Sequence, residues 1–407
     1  MKEKAKRRRS MMKKAKSIPI PQKNNLATIL VLVISALLFL GMFLWLHPQD
    51  ILKGKNEIFN VYRDEMVEFE KATVRAIPSE EKNVDEFAEG AYVGTQELTC
   101  VVKSGRYKGE IMTVYNYFGP LYGVPVELGD SVVVTIKTHT NGETSATVYE
   151  FNRIPIIGAF MLLFFIIVIL IGGKTGLKSL VGLILTFLCL FFILIPLLLK
   201  GWPTIPITFA MCAFISLVAF TILGGVHRKT ISAYLGTLAG MVFAMIFGLA
   251  VQSLAKIDGL RLEDAEPLMQ LRYIGATVKI RGLMVAGIII SALGAVMDVA
   301  MSISSALEEI YAANPTLSSI SLFRSGMNIG RDMVGTMTNT LILAFLGSEF
   351  TLMIFLFARD LTFYHLFGTA FIALESISGL AASIGMVLAI PLTTLISVML
   401  IVRGRKR

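Results

Sequence analysis

The sequence predicts an all-α polytopic membrane bundle of about eight transmembrane helices, with one small extracytoplasmic β-barrel-like domain inserted between spans one and two. Three observations support this fold class. Hydrophobic residues make up 55% of the chain and charged residues only 16%. Several apolar runs reach the ~20 residues that a helix needs to cross a bilayer. The entire formal net charge of +9 is carried by the segment before the first of these runs.

That segment, residues 1–25, is a basic tail with ten Lys and Arg side chains against one Glu. Positive charge beside a span marks the cytoplasmic side of a membrane. We therefore expect the N-terminus in the cytoplasm and the lipid bilayer as the partner of the tail. Membrane anchoring accounts for the basic charge, so no nucleic-acid partner is expected.

Residues 26–46 form the predicted span one. An apolar run after a basic tail is also typical of a cleaved signal peptide. However, no small-x-small cleavage site follows, and Trp45 beside His47-Pro48 is typical of a membrane interface. We therefore predict an uncleaved signal anchor.

Residues 47–153 form a polar insert, which we predict to be an extracytoplasmic β-rich domain. The insert holds 17 acidic and 11 basic side chains, as expected for the side opposite the basic tail. Apolar and polar residues alternate around Cys100 and again around Val134, which indicates half-buried strands. Asn141-Gly142 is a strong hairpin signal. These patterns favour a compact barrel or sandwich, and an OB-like barrel is one form that it could take.

Residues 154–407 are predicted to form a seven-helix transmembrane domain. Basic residues in the short loops and at the C-terminus favour a cytoplasmic position for both termini. Residues 360–384 are too polar for a lipid-facing span, so we expect an interfacial or partly buried helix there. The seven predicted spans are 154–173, 179–199, 204–226, 232–255, 283–307, 333–357 and 385–402.

Span six carries an acid, Asp298, inside an otherwise apolar run. Helical periodicity places Ser302, Ser305 and Glu309 on the same face as Asp298. Gly294 and Ser291 continue this face in the other direction. Because small and polar residues form one stripe and apolar residues form the rest, we expect the stripe to face protein rather than lipid.

Span seven opens with Arg331 and Asp332. Its polar residues Thr336, Asn339 and Thr340 share a face with Asp332 by the same periodicity, and Thr338 lies nearby. We expect this face to pack against the Asp298 stripe. No Lys or Arg is expected at the depth of Asp298, so the predicted site has no permanent counter-ion.

Two interpretations of this polar constellation stay open. In one, Asp298 loads and releases protons, and Thr336, Asn339 and Thr340 bind its carboxyl group. In the other, the cluster is structural and only fixes the register of the two helices. A carboxylate in hydrocarbon is costly and commonly functional, which favours the first interpretation. The supporting cluster comprises Ser302, Ser305, Glu309, Arg331, Asp332 and Thr338, and Glu349 and Glu375 are weaker candidates.

Catalytic and metal chemistry find no support in the sequence. HExxH, GxSxG and Walker motifs are absent, and the three Cys and four His residues form no metal-ligand cluster. We therefore predict no catalytic residue, no metal site, no cofactor and no enzymatic activity.

The stretch from Gly294 to Ile310, together with Ser321–Gly347 and Ser378–Ser397, resembles the YibE/F family of bacterial membrane proteins. The resemblance covers most of the chain, including the basic tail, the first span and the extracytoplasmic domain. It implies a location in the bacterial plasma membrane and adds little chemistry.

The C-terminal spans, 283–402, are similar in layout to those of the SecD/SecF and RND-type transporters. The similarity rests on Asp298 with Gly294 before it, on the acidic pair Glu308 and Glu309, and on the polar start of the next span. It implies proton-driven conformational cycling coupled to the extracytoplasmic domain. It also implies pairing of related halves, either as a homodimer or with a related membrane subunit.

The sequence thus predicts a transporter-like or export-assisting protein, coupled to protons through Asp298, with an unknown substrate. The alternative is a non-transporting scaffold or assembly factor whose outer domain binds a partner.

Overall fold

The computed structural model describes residues 25–45, 66–139, 143–257, 260, 265–273, 277–348, 350–358 and 370–405. The basic tail up to residue 24, the predicted Asn141-Gly142 hairpin and Glu349 lie outside the described residues. The chain divides into two units, Phe59–Ile171 and the remainder.

The first unit contains a closed five-stranded barrel. Its strands are arranged in the order β1-β2-β3-β5-β4, with β3 and β5 parallel and the other neighbours antiparallel. Five strands in a small closed barrel are typical of OB folds, so of the two predicted forms the barrel is confirmed and the sandwich is not. The strands are β1 (Met66–Asp85), β2 (Ala91–Val102), β3 (Ile111–Phe118), β4 (Ser131–Thr138) and β5 (Thr144–Phe151).

The barrel interior follows from the alternation seen in the sequence. Leu98, Cys100 and Val102 point inward from β2 and are fully buried, and β4 contributes Val132 and Val134 to the same core. Because successive side chains of a strand point to opposite faces, apolar residues at every second position give the strand one buried face and one solvent-exposed face.

Two buried amide side chains, Gln96 and Asn116, form a hydrogen-bond network in the barrel. The buried Gln96 amide donates to Val126 O (3.0 Å) and accepts hydrogen bonds from Asn116 Nδ2 (2.9 Å) and Val126 N (3.0 Å). Asn116 also donates to Val124 O (3.0 Å). The network ties the segment after β3 to the middle of the barrel, and each of these buried amide groups has a partner.

The second unit is helical. Its core is built around three long helices that contact one another, α5, α7 and α10. The helices are α1 (Asn25–Trp45), α2 (Ile154–Cys189, which begins in the first unit), α3 (Ile195–Leu199), α4 (Thr204–Gly224), α5 (Arg228–Leu254), α6 (Ala265–Tyr273), α7 (Leu283–Ala313), α8 (Ser319–Ser348), α9 (Phe350–Ala358) and α10 (Ala370–Arg405).

Six helical segments within the described residues are long and apolar enough to cross a membrane. One of them, Ile154–Leu199, has 46 residues, or about 69 Å at the usual rise per residue, whereas the hydrocarbon layer is roughly 30 Å thick. Gly173 interrupts its helical backbone with φ 54° and ψ −133°. This break falls at the last residue of the predicted span 154–173 and precedes the predicted span 179–199. The total of about eight spans stays a prediction.

The helices that contain the last two predicted spans begin earlier in the sequence than those spans. Helix α8 begins at Ser319, not near residue 333, and the Ser318 hydroxyl accepts the Ser321 N–H (3.1 Å) as an N-terminal cap. Arg331 and Asp332 therefore lie in the middle of a helix instead of opening one. Helix α10 begins at Ala370, so residues 370–384 are continuous with the last span, which was predicted to start at 385.

Small residues bring the central helices into close contact. A Cβ atom placed on Gly236 of α5 would lie 2.0 Å from Thr393 Oγ1 of α10, and one on Gly240 would lie 2.6 Å from Val296 Cγ1 of α7. Such close approach is typical of membrane helices that pack through small residues. Pro391 lies inside α10, near these contacts.

Candidate functional site

Asp298 lies near the middle of α7, on the face that the other helices leave uncovered. Its neighbours Val296, Val299 and Ala300 are fully buried, whereas Asp298 and Ser302 are exposed. Gly294 and Glu309 are exposed as well, and Ser291 and Ser305 are half-buried. The predicted stripe therefore exists as one face of α7.

The direction of this face was predicted wrongly for the single chain. The apolar residues of α7 are enough to contact α4, α5, α8 and α10. Those contacts turn the polar stripe outward, so it faces away from the bundle instead of toward protein. Within the described residues no hydrogen bond or ion pair reaches the Asp298 carboxyl group.

The polar residues of α8 are exposed too, and most of their bonds are local. Thr336 Oγ1 donates to Met333 O (3.2 Å), and Thr340 Oγ1 donates to Thr336 O (2.9 Å). Arg331 Nη1 donates to Asn328 Oδ1 (3.3 Å). Such bonds within one helix are common for hydroxyl side chains in membranes. The bonds predicted between Asp298 and Thr336, Asn339 or Thr340 are not formed in this structure.

The remaining predicted residues are dispersed. Asp332 and Asn339 are exposed on α8, and Thr338 is half-buried with a hydroxyl that has no partner among the described residues. Glu375 belongs to α10, but its side chain lies outside the description, as does the whole of Glu349.

The register of α7 and α8 places an arginine near the depth of Asp298. A Cβ atom on Gly326 would lie 3.0 Å from Leu307 Cδ1, which sets the two consecutive helices antiparallel from a shared turn. By the helical rise, Asp298 is roughly 22 Å from the end of α7 and Arg331 roughly 18 Å from the start of α8. Because α8 starts earlier than predicted, Arg331 lies inside the helix, and the helical rise puts it within about 4 Å of the depth of Asp298.

A cavity of about 560 Å³ opens where α5 begins and α7 and α10 approach their ends. Its walls carry two cations from α5 and two acids from α7, none of which forms an ion pair with another described residue. The sequence analysis did not assign this site, although it noted Glu308 and Glu309. The lining residues are Arg228, Lys229, Ser232, Ser304, Glu308, Glu309, Tyr311, Ala312, Pro315, Ser397 and Ile401.

A chain of three hydroxyl groups forms the deep wall of this cavity. Ser232 Oγ lies 3.1 Å from Ser304 Oγ, and Ser304 Oγ lies 3.1 Å from Ser397 Oγ. All three serines are almost completely buried, and Ser232 Oγ also lies 2.9 Å from Lys229 O. The chain joins α5, α7 and α10 by hydrogen bonds.

Further buried hydroxyl groups lie in the same three helices without a partner among the described residues. They belong to Thr230 and Thr237 of α5 and to Ser383, Thr393 and Thr394 of α10. A second cavity, of about 680 Å³, lies at the opposite end of α5, near Gln252. The helical core thus contains unsatisfied polar groups between two openings.

No three His, Cys, Asp or Glu side chains come together as a metal site within the described residues. Cys189 and Cys212 are buried among apolar side chains of the helical core.

Comparison with known proteins gives two matches, both to family models. Residues 160–403 match the family described as YibE/F-like protein, and residues 61–151 match the YibE/F family N-terminal domain. No curated protein and no solved structure matches the chain. The resemblance to SecD/SecF and RND-type transporters is not among the matches and stays a prediction.

Proposed function

We propose that this chain, which belongs to the YibE/F-like family by a model that matches residues 160–403, is a multi-pass membrane protein of the transporter type. We propose that it is coupled to the proton-motive force through Asp298. In this proposal it resides in the bacterial plasma membrane with both termini in the cytoplasm and the barrel outside. The substrate stays unknown, and export assistance is included in this class.

The observation that carries the proposal is the isolation of Asp298. A charged side chain at the centre of a membrane helix costs about 2.5–3.5 kcal/mol on insertion scales. Asp298 lies in a 31-residue apolar helix and has no partner among the described residues. Its charge must then be neutralised by a proton or by a group from another molecule. A carboxyl group that exchanges these two partners is suited to proton coupling.

The polar face of α8 would serve this exchange. The hydroxyl groups of Thr336 and Thr340 donate to backbone carbonyl oxygens of their own helix. Replacing these hydrogen bonds by hydrogen bonds to a carboxylate costs little free energy. A small rotation of α8 would bring Thr336, Asn339 or Thr340 toward the Asp298 stripe. In this proposal these residues bind the carboxyl group in one state of the cycle.

A second copy of the chain would complete the site. The exposed stripe of α7 carries Asp298, and α8 carries Arg331 at nearly the same depth. A twofold dimer through α7 and α8 sets the acid of each copy against the arginine of the other, so the interface is complementary to itself. Asp298 then alternates between a proton and that arginine. Pairing with a related membrane subunit is the other form of this proposal.

The protonation of Asp298 is tested by infrared difference spectroscopy on the reconstituted protein between pH 5 and 9. We expect a protonated-carboxyl band that titrates and disappears in Asp298→Asn, whereas Glu266→Gln, a change at an exposed carboxylate outside the bundle core, leaves the band unchanged. A carboxyl group whose state never changes would contradict proton coupling. It would favour the alternative of a scaffold, whose activity survives Asp298→Asn.

The dimer is tested by cysteine crosslinking in native membranes. Gly294→Cys places a thiol on the stripe, and Leu395→Cys places one on an exposed face of α10. The three native thiols are buried. Oxidation is expected to yield a dimer with Gly294→Cys and monomer with Leu395→Cys. A crosslinked product of another mass would identify a related subunit, and monomer from both variants would contradict the proposal.

A further inference from the structure

The cavity between the ends of α5, α7 and α10 has walls of opposite charge. Arg228 and Lys229 are the first two residues of α5, where the helix dipole adds partial positive charge. Glu308 and Glu309 approach from the last turns of α7. Four charged groups thus surround one cavity without forming an ion pair among themselves.

Partly buried charges without partners are costly, and proteins commonly neutralise them by pairing. Lys229 and Glu308 are both half-buried, so each loses part of its hydration without gaining a counter-ion in this structure. An occupant with an anionic group for α5 and a cationic group for α7 would remove both costs together. An anion alone would satisfy one wall and be repelled by the other.

The serine chain adds a directional donor. Ser232 Oγ donates to Ser304 Oγ, and either hydroxyl of the Ser304–Ser397 pair can be the donor. When Ser304 donates to Ser397, the proton of Ser397 is free for a group in the cavity. An acceptor oxygen in the cavity would select this direction, since Ser397 is part of the wall.

We propose that this cavity binds a small zwitterion that combines an anionic phosphate or carboxylate with a primary ammonium group. Lys229 and Arg228 bind the anionic group, and Glu308 and Glu309 accept hydrogen bonds from the ammonium group. A volume of about 560 Å³ lies within the usual range of ligand sites. The occupant is either a free solute or the headgroup of a lipid, since molecules of both kinds carry these two groups.

The test uses the purified full-length protein in detergent and isothermal titration calorimetry. The probe is glycerophosphoethanolamine, and the comparison ligands are glycerol 3-phosphate and ethanolamine, which carry one charged group each. We expect the zwitterion to bind at least tenfold more tightly than either of the others. No binding at millimolar concentration, or equal binding of one half alone, would overturn the proposal.

Two variants assign the binding to this cavity. Lys229→Gln and Glu308→Gln are each expected to weaken binding of the probe roughly tenfold or more, the usual effect of losing a charge-assisted hydrogen bond. The matched controls Lys178→Gln and Glu266→Gln change the same residue types elsewhere and leave the affinity unchanged. If a Gln variant fails to fold, Arg228→Gln or Glu309→Gln, which removes the second charge of the same wall, takes its place. Wild-type affinity in folded variants would contradict the assignment.

Nanodiscs distinguish the two sources of the ligand. Phosphatidylcholine has no N–H donor for Glu308, so nanodiscs of this lipid alone leave the cavity open to the soluble probe. Addition of phosphatidylethanolamine lowers the apparent affinity of the probe if the natural occupant is a lipid headgroup, and has no effect if it is a free solute. This inference does not rest on proton coupling, and Asp298→Asn is expected to leave binding of the probe unchanged.

Discussion

Most of the buried side-chain polar atoms that have no partner among the described residues lie in the helical bundle, and only one, Glu68 Oε2, lies in the barrel. In the barrel, Gln96 and Asn116 are buried and hydrogen-bonded to each other and to backbone groups. In the bundle, Thr237, Thr393 and Thr394 are buried with hydroxyl groups that have no partner among the described residues. A satisfied polar group stabilises one structure, whereas an unsatisfied one favours any change that supplies a partner. The bonded amides of the barrel therefore favour one folded structure, whereas the unpartnered hydroxyl groups of the bundle favour ligand binding or a conformational change.

The largest loss of stability is expected from removing the hydrogen bonds of the buried amide groups in the barrel. Gln96→Leu removes the acceptor for Asn116 Nδ2 and Val126 N and leaves both buried. The barrel should lose about 2–4 kcal/mol, because each orphaned buried group costs about 1–3 kcal/mol. Hydrogen exchange of the β2 and β3 amides in the full chain measures this loss. Thr95→Leu on the exposed face of β2 is the control, and equal protection in both variants would contradict the prediction.

The next effect concerns the close contact between α5 and α10. Gly236→Ala places a Cβ atom 2.0 Å from Thr393 Oγ1, so the two helices must separate. A loss of about 1–3 kcal/mol is expected from such overpacking, measured as a lower melting temperature in detergent. Gly182→Ala meets no atom within 4 Å and is expected to melt like the wild type. Similar melting of both variants would mean that the helices are not in contact at Gly236.

A smaller effect, a gain in stability, is expected when an unpartnered hydroxyl group is removed from the bundle. Thr393→Val keeps the shape of a buried side chain and removes a hydroxyl group without a partner. The helical unit should gain about 1 kcal/mol, since the desolvation cost of the hydroxyl disappears. Ser304→Ala, which breaks the bonded serine chain, should lose a similar amount. A lower melting temperature for Thr393→Val would indicate that an ordered water satisfies the hydroxyl.

The effect that is smallest at neutral pH is the pH dependence contributed by Cys100. Burial in the barrel raises the pKa of its thiol from the ordinary 9.0 to about 11. The unfolded chain therefore releases this proton at a lower pH than the folded barrel does. The contribution of Cys100 is complete below pH 9 and is lost as pH rises toward 11. Denaturation of wild type and Cys100→Val across this range should show a shallower decline for the variant, and parallel curves would contradict the prediction.

Features that depend on neighbouring residues were predicted correctly from the sequence, whereas features that depend on contacts between distant segments were not. The inward set around Cys100 follows from alternation within one strand, and the apolar helices follow from single runs. The serine chain could not be predicted, because Ser232, Ser304 and Ser397 belong to helices distant in sequence, and each is unremarkable alone. The Asp298 stripe was correctly placed on one face of its helix, but a stripe does not tell which neighbours that face will meet.

Pro391 gives α10 a property that the other central helices lack. Proline has no N–H, so the hydrogen bond that would reach the Val387 carbonyl is missing, and bending there costs less than elsewhere along the helix. The part of α10 before Pro391 holds Gly379 against Phe345, and the part after it carries Ser397 into the charged cavity. The helix therefore has a point of lower bending stiffness between its contact with α8 at Gly379 and the end that lines the cavity.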